Sequence, residues 1–271
     1  ITNEETDDLT RQDTQMISQS TIKLLEKIGK QLSSNSNSNE IELIFLINNY
    51  FHIVSTLRES LAISDSSKSQ LTIPVSPGRS VHQKQSRIVQ PPKPVMSRSM
   101  SNIEKMDSSG NTLQTMHSKS DVFIDSNLNI ILPIFEQYLN DTSLNYIENL
   151  LKAQFTSLVN IVHDAFEKVD NDKPRKVNFN LSELEEIAND FKSKYNQRLK
   201  SIIDSQLPNF GDYLNGKEIM KQIAKRLVVY WAKFHQLATI ILANGKMPQW
   251  MSTIPTVPIL VNEVQSITEK L

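Results

Sequence analysis

Apolar residues recur at helical spacing along most of the chain, and the longest such run lies between Lys217 and Ala243. Wound at 3.6 residues per turn, Ile219, Met220, Ile223, Ala224, Leu227, Tyr230, Trp231, Phe234, Leu237, Ala238, Ile241 and Leu242 share one stripe about 140° wide. Lys221, Gln222, Lys225, Arg226, Lys233 and Gln236 take the other side. Burying such apolar side chains is worth roughly 1.5–3 kcal/mol each, against about 1–2 kcal/mol per residue for ordering the backbone. This helix needs other helices to dock on.

The same spacing predicts those partners. Ile17, Thr21, Leu24, Leu25, Ile28 and Leu32 give the stripe of a first helix over about 13–32, preceded by a nine-residue start carrying Glu4, Glu5, Asp7 and Asp8 and expected to fray, and followed by a flexible Asn/Ser connector at 33–39. A second helix over about 40–62 is apolar on half its circumference, through Leu43, Ile44, Leu46, Ile47, Tyr50, Phe51, Ile53, Val54, Leu57 and Leu61. A stripe that wide implies more than one neighbour. Further helices are expected over about 126–154, 155–168, 182–206 and 259–270. Pro133 and the Asn140–Ser143 cluster are possible breaks in the first of these. Ser182 with Glu185, or Asn180 with Glu183, has the spacing of a capping box. No period-two pattern is long enough to predict a strand.

Between the second and third helices the chemistry changes. Ser64 to Asp121 is rich in Ser, Pro, Gln, Lys and Arg, and every charge from Lys68 to Arg98 is positive. Such a segment buries too little surface to offset its ordering entropy and is expected to be disordered. The organisation expected is therefore three parts: 1–63 as the first two helices, 64–124 as a disordered insertion, and 125–271 as the remaining helices of the same all-α bundle.

Composition narrows the chemistry. The 271 residues carry a formal net charge of −1 and no cysteine, which gives no basic field for nucleic acid and excludes thiolate catalysis, a disulfide scaffold and a cysteine zinc site. The absence of cysteine suits a cytosolic protein. Pro248, Pro255 and Pro258 interrupt the least charged stretch, so no transmembrane segment is expected. The chain opens on Ile1, and reads as a piece of a longer protein. Six glycines, widely spaced, cannot assemble a phosphate cradle, and Gly216 and Gly245 suit turns or helix C-caps.

Catalytic candidates are few. His52, His82, His117, His163 and His235 show no metal-binding spacing on a common helix, and Glu185 and Glu186 point about 100° apart. No serine stands in a nucleophile elbow. The residues give no support to an enzyme, a cofactor or a resident metal. Two features fit interaction instead. Lys221, Lys225, Arg226 and Lys233 form a basic face that is either solvated or a contact for an acidic partner or anionic lipid. Ser76, Ser99 and Ser101 stand in kinase-substrate contexts within the insertion, either as modification sites or as plain spacer.

Three strings together resemble one family. They are Phe45-Leu46-Ile47-Asn48-Asn49-Tyr50 followed by Ile53, Val54 and Leu57; Tyr146-Ile147-Glu148-Asn149-Leu150-Leu151 followed by Phe155, Leu158 and Val159; and Tyr230-Trp231-Ala232-Lys233-Phe234-His235. In order and spacing, from about Thr14 onward, they are similar to the C-terminal part of the vacuolar protein sorting-associated protein 52 family, a subunit of the Golgi-associated retrograde protein (GARP) tethering complex. The 64–121 insertion is the one large departure. The resemblance implies an elongated antiparallel helical rod of the multisubunit tethering-complex type. It further implies a non-catalytic role in retrograde transport from endosomes to the trans-Golgi network. The partners it implies are sister tether subunits, a Rab GTPase and SNAREs, at the cytosolic face of that membrane, with recycling endosomes as a second location. Two alternatives stay open: a subunit of exocyst or of the conserved oligomeric Golgi complex, and a phosphorylation-gated adaptor acting through the insertion. The resemblance also allows Asn48 and Asn49 to bridge to a neighbouring helix.

Overall fold

The computed structural model describes residues 3–36, 38–69, 119–166, 180–242 and 248–271. Every regular element among them is helical. In chain order these are α1 (Asn3–Ser36), α2 (Asn39–Ser69), α3 (Lys119–Gln154), α4 (Thr156–Ala165), α5 (Leu181–Gln206), α6 (Tyr213–Leu242) and α7 (Val257–Thr268), with short 3₁₀ turns at Leu207–Asn209 and Gln249–Ser252. The protein is all-α, as the periodicity predicts. Among the described residues no helix is long and apolar enough to cross a membrane.

Two hydrophobic cores organise these helices. The smaller joins Ile22 of α1, Leu46, Tyr50 and Val54 of α2, and Phe135 of α3. The larger begins at Leu43 and Ile47 of α2 and Tyr146, Ile147, Leu150 and Leu151 of α3, and continues through α4, α5, α6 and α7. Trp231 sits at its centre, fully buried, with its ring 3.9 Å from that of Phe191 and 5.1 Å from that of Phe234, both nearly parallel. Its indole N–H donates to the Pro255 carbonyl at 2.8 Å, which fixes the segment leading into α7. Eleven of the twelve residues of the α6 stripe are buried, and Ile241 is partly so.

Helix boundaries differ from expectation where polar residues proved compatible with helix. α1 starts at Asn3 and continues to Ser36, so the acidic start is helical, and of the described residues in the Asn/Ser tract only Ser38 lies outside a helix. Ser34 and Ser36 turn their hydroxyls back onto the carbonyls of Lys30 and Leu32, which satisfies them within the helix. α2 continues to Ser69 and α3 starts at Lys119, so both helices run into the ends of the expected insertion. The insertion's centre at 70–118, with Ser76, Ser99 and Ser101, lies outside the described residues. Neither Pro133 nor Asn140–Ser143 interrupts α3; the break falls at Phe155, whose backbone leaves the helical region. Asn180 caps α5, its side-chain oxygen accepting from the Ser182 amide at 3.0 Å. Gly216 is not a turn but the buried first turn of α6. A Cβ there would meet Leu207 Cδ1 at 2.9 Å and Phe210 Cβ at 3.0 Å, so the glycine lets the 3₁₀ turn lie against the helix. Gly245 lies outside the described residues.

The stripe expected on α1 is also corrected. Thr14, Ser18, Ile22 and Gly29 face inward, while Ile17 is 65% and Leu24 57% exposed. Small residues win the seam because they let α2 approach closely: the Cβ position of Gly29 lies 3.1 Å from Glu42 Cγ. Ser18 donates to the Thr14 carbonyl at 2.9 Å, so its hydroxyl is buried without loss of a hydrogen bond.

Candidate interaction surface

α6 presents the four basic residues singled out in the sequence, and the structure separates them into two sets. Arg226 leaves the solvated face. Its Nε donates to Glu148 Oε1 on α3 at 2.6 Å, with side chains only 22% and 27% exposed. The other oxygen of Glu148 accepts from the Tyr230 hydroxyl, and His163 Nε2 on α4 lies 2.8 Å from the same hydroxyl. With its one proton given to the carboxylate, the Tyr230 oxygen accepts from His163 Nε2–H. Four side chains thus tie α3, α4 and α6 together beside the larger core. Glu148, Tyr230 and His163 were not foreseen as a set, because they meet only once the helices pack. Lys233 also turns toward α4, its Nζ 5.1 Å from the Phe166 ring centre and 3.5 Å from Gln236 Oε1.

Lys221 and Lys225 remain on an open rim, joined there by Lys217 one turn earlier. These three line a groove of about 680 Å³ between α6 and α7. Its floor is apolar, made by Ala224, Val228, Val261 and Val264; Gln265, Thr268 and Glu269 form the opposite rim. α7 is held in place by Leu260 and Val264, buried against α6, and by Pro255, whose carbonyl accepts from Trp231 and lies 3.3 Å from His235 Nε2. Burial holds the His235 imidazole below its ordinary pKa, and the contact with Pro255 offsets this only in part. At one end of the groove the Tyr213 hydroxyl donates to the Leu271 carbonyl at 3.0 Å, and Lys217 Nζ lies 4.5 Å above the Tyr213 ring.

A second cleft of about 490 Å³ lies between the start of α4 and α5. Glu183, Glu186 and Asp190 make it acidic, yet Asp190 is already engaged by Lys194 at 2.6 Å and Arg198 at 2.8 Å. Desolvation raises the Asp190 pKa, and the two cations outweigh it, leaving the carboxyl below its ordinary value. Asp190 and Lys194 stand one turn apart on α5, at the i,i+4 spacing that brings opposite charges together on a helix face. Among the described residues no group of three or more His, Cys, Asp or Glu is placed to hold a metal ion.

The Phe45–Tyr50 string has a structural use. Asn48 on α2 is bidentate: its Nδ2 donates to the Asn209 carbonyl at 3.3 Å and its Oδ1 accepts from the Gly211 amide at 3.2 Å. It clamps α2 to the turn between α5 and α6. Asn49 instead donates to Phe45 of its own helix. Trp250 and Ile254, in the segment leading into α7, are buried in the larger core with Met251 packed beside them. Compared with protein-family models, with curated proteins and with solved structures, the chain matches none.

Proposed function

We propose that this chain is a non-catalytic assembly subunit of a vesicle-tethering complex, of the GARP type, acting in transport from endosomes to the trans-Golgi network. The observation that carries the proposal is where the three resembling strings fall. Phe45–Tyr50 of α2 supplies residues to both cores, while Tyr146–Leu151 of α3 and Tyr230, Trp231 and Phe234 of α6 line the larger one. Residues used this way specify how helices stack. Two cores displaced along α3 fit a rod built by adding bundles end to end. Binding sister subunits, a Rab GTPase and SNAREs through exposed helix faces is the activity such a rod supports, with peripheral attachment to the cytosolic face of the membrane.

Affinity purification of the full-length protein tests this. The expected result is stoichiometric recovery of the other GARP subunits. Recovery of exocyst or conserved oligomeric Golgi subunits instead would transfer the chain to that tether, and recovery of neither would refute tethering.

A further inference from the structure

The geometry points to an acidic amphipathic helix of a partner protein as the occupant of the α6–α7 groove; this rests on reading the chain as an assembly subunit. Lys217, Lys221 and Lys225 stand at i, i+4 and i+8 along one rim. Four residues of helix advance about 6 Å, so the charged rim repeats every ~6 Å over about 12 Å. Carboxylates at i, i+4 and i+8 of an accompanying helix repeat with the same rise, and can meet all three lysines at once. Among the described residues no carboxylate pairs with Lys221 or Lys225.

The rest of the groove fixes which face that helix turns inward. Val228 on α6 and Val261 on α7 make an apolar floor, and Val261 is 40% exposed. Glu269 on the far rim opposes a second row of acids. The occupant therefore carries acid along one edge only, with an aliphatic stripe beside it, which is the helix-in-groove mode of recognition. A flat anionic bilayer fits less well. It would bring Glu269 against lipid phosphate.

The probe is a fluorescein-labelled, stapled helix of about 18 residues bearing Glu at i, i+4 and i+8 beside a Leu stripe, titrated by anisotropy against the full chain. We expect saturable binding that weakens at least about 5-fold between low and physiological-plus salt, and at least about 10-fold when the three Glu become Gln. Lys217→Glu/Lys221→Glu/Lys225→Glu from one wall, and Val261→Asp from the other, should each cost about 10-fold or more. Thermal melting by circular dichroism checks both variants. If the triple variant does not fold, Val261→Asp and the Gln peptide still decide the matter. Equal binding of the Gln peptide, undiminished binding to the folded variants, or no binding up to about 1 mM would overturn the inference, as would capture of phosphatidylserine vesicles with the peptide ignored. Co-purification of sister subunits is read separately, so loss of peptide binding with intact assembly refutes the groove's occupant and leaves the tether reading standing.

Discussion

Arg226 provides a direct test of the packing described here, because helical periodicity alone puts it in water. In the structure it donates to Glu148 at 2.6 Å, and both side chains are about three-quarters buried. A hydrogen bond to a charged group contributes about 1.5–3 kcal/mol when well buried, and an exposed ion pair about 0.2–1 kcal/mol. A pair at this depth falls between them, so a coupling energy of about 1–2 kcal/mol is expected. Glu148→Ala should cost more than Arg226→Ala, roughly 2 against 1 kcal/mol, because it also strips the Tyr230 hydroxyl of its acceptor. The double variant should cost less than the sum of the two by the coupling energy.

Urea unfolding of the wild type, both single variants and the double variant measures the cycle. Repeating it at high salt separates the depths, since screening erases an exposed pair and spares a buried one. Lys225→Ala, one residue away and exposed, serves as the control and should stay within about 0.5 kcal/mol. Additive effects, with Arg226→Ala as silent as Lys225→Ala, would return Arg226 to the solvated face and refute the network.

Three further outcomes follow from the cores. Tyr50 is fully buried, its hydroxyl has no hydrogen-bond partner among the described residues, and burial, followed by Glu26 and Tyr138, drives its pKa well up; Tyr50→Phe should be neutral or stabilise by up to about 1 kcal/mol, and a clear loss in urea midpoint would reveal a partner. Trp231→Ala removes the ring stacked on Phe191 and Phe234 and the indole N–H bond to the Pro255 carbonyl, so thermal unfolding should show a loss of about 3–5 kcal/mol. His235 has a folded pKa below its unfolded one near 6.5, so the unfolded state binds the proton first and stability falls as pH drops through about 6.5 toward the folded value. Urea midpoints from pH 7.5 to 5.5 should therefore decline less in His235→Gln than in the wild type, and parallel profiles would contradict the burial.

The sequence pattern located the helices of the larger core well and the seam of α1 badly, for one physical reason. On α6 the buried stripe is also the most hydrophobic one, so periodicity and packing agree. On α1 the buried positions are Thr14, Ser18, Ile22 and Gly29, spaced four, four and seven residues apart; all but Ile22 are small or polar, and at Gly29 the missing side chain permits the close approach of α2. A hydrophobicity count favours Ile17 and Leu24 and misses this; the spacing of small residues was the signal present. The basic face shows a similar limit. Angular position on α6 separates Lys225 from the core, yet it carries no information about the acidic side chain of α3 that meets Arg226. Single-helix geometry gives the direction of a side chain, and only packing decides what stands there.

The pairing of α2 with α3 explains why the long stretch between them does not divide the protein. Leu46, Tyr50 and Val54 of α2 enter the smaller core, while Leu43 and Ile47 of the same helix enter the larger. α3 does likewise, with Phe135 in the smaller core, Tyr146 to Leu151 in the larger, and Leu139 touching both. Phe135 and Leu151 are sixteen positions apart on α3, about 24 Å, so neither core can be removed without exposing part of the other's wall. Asn48 adds a polar clamp from α2 to the turn before α6. For a flexible loop, joining α2 to α3 through the 49 residues between Ser69 and Lys119 instead of about 8 costs only about 1.6 kcal/mol of closure entropy. Burial of Leu43 and Ile47 alone, at about 1.5–3 kcal/mol each, offsets that cost.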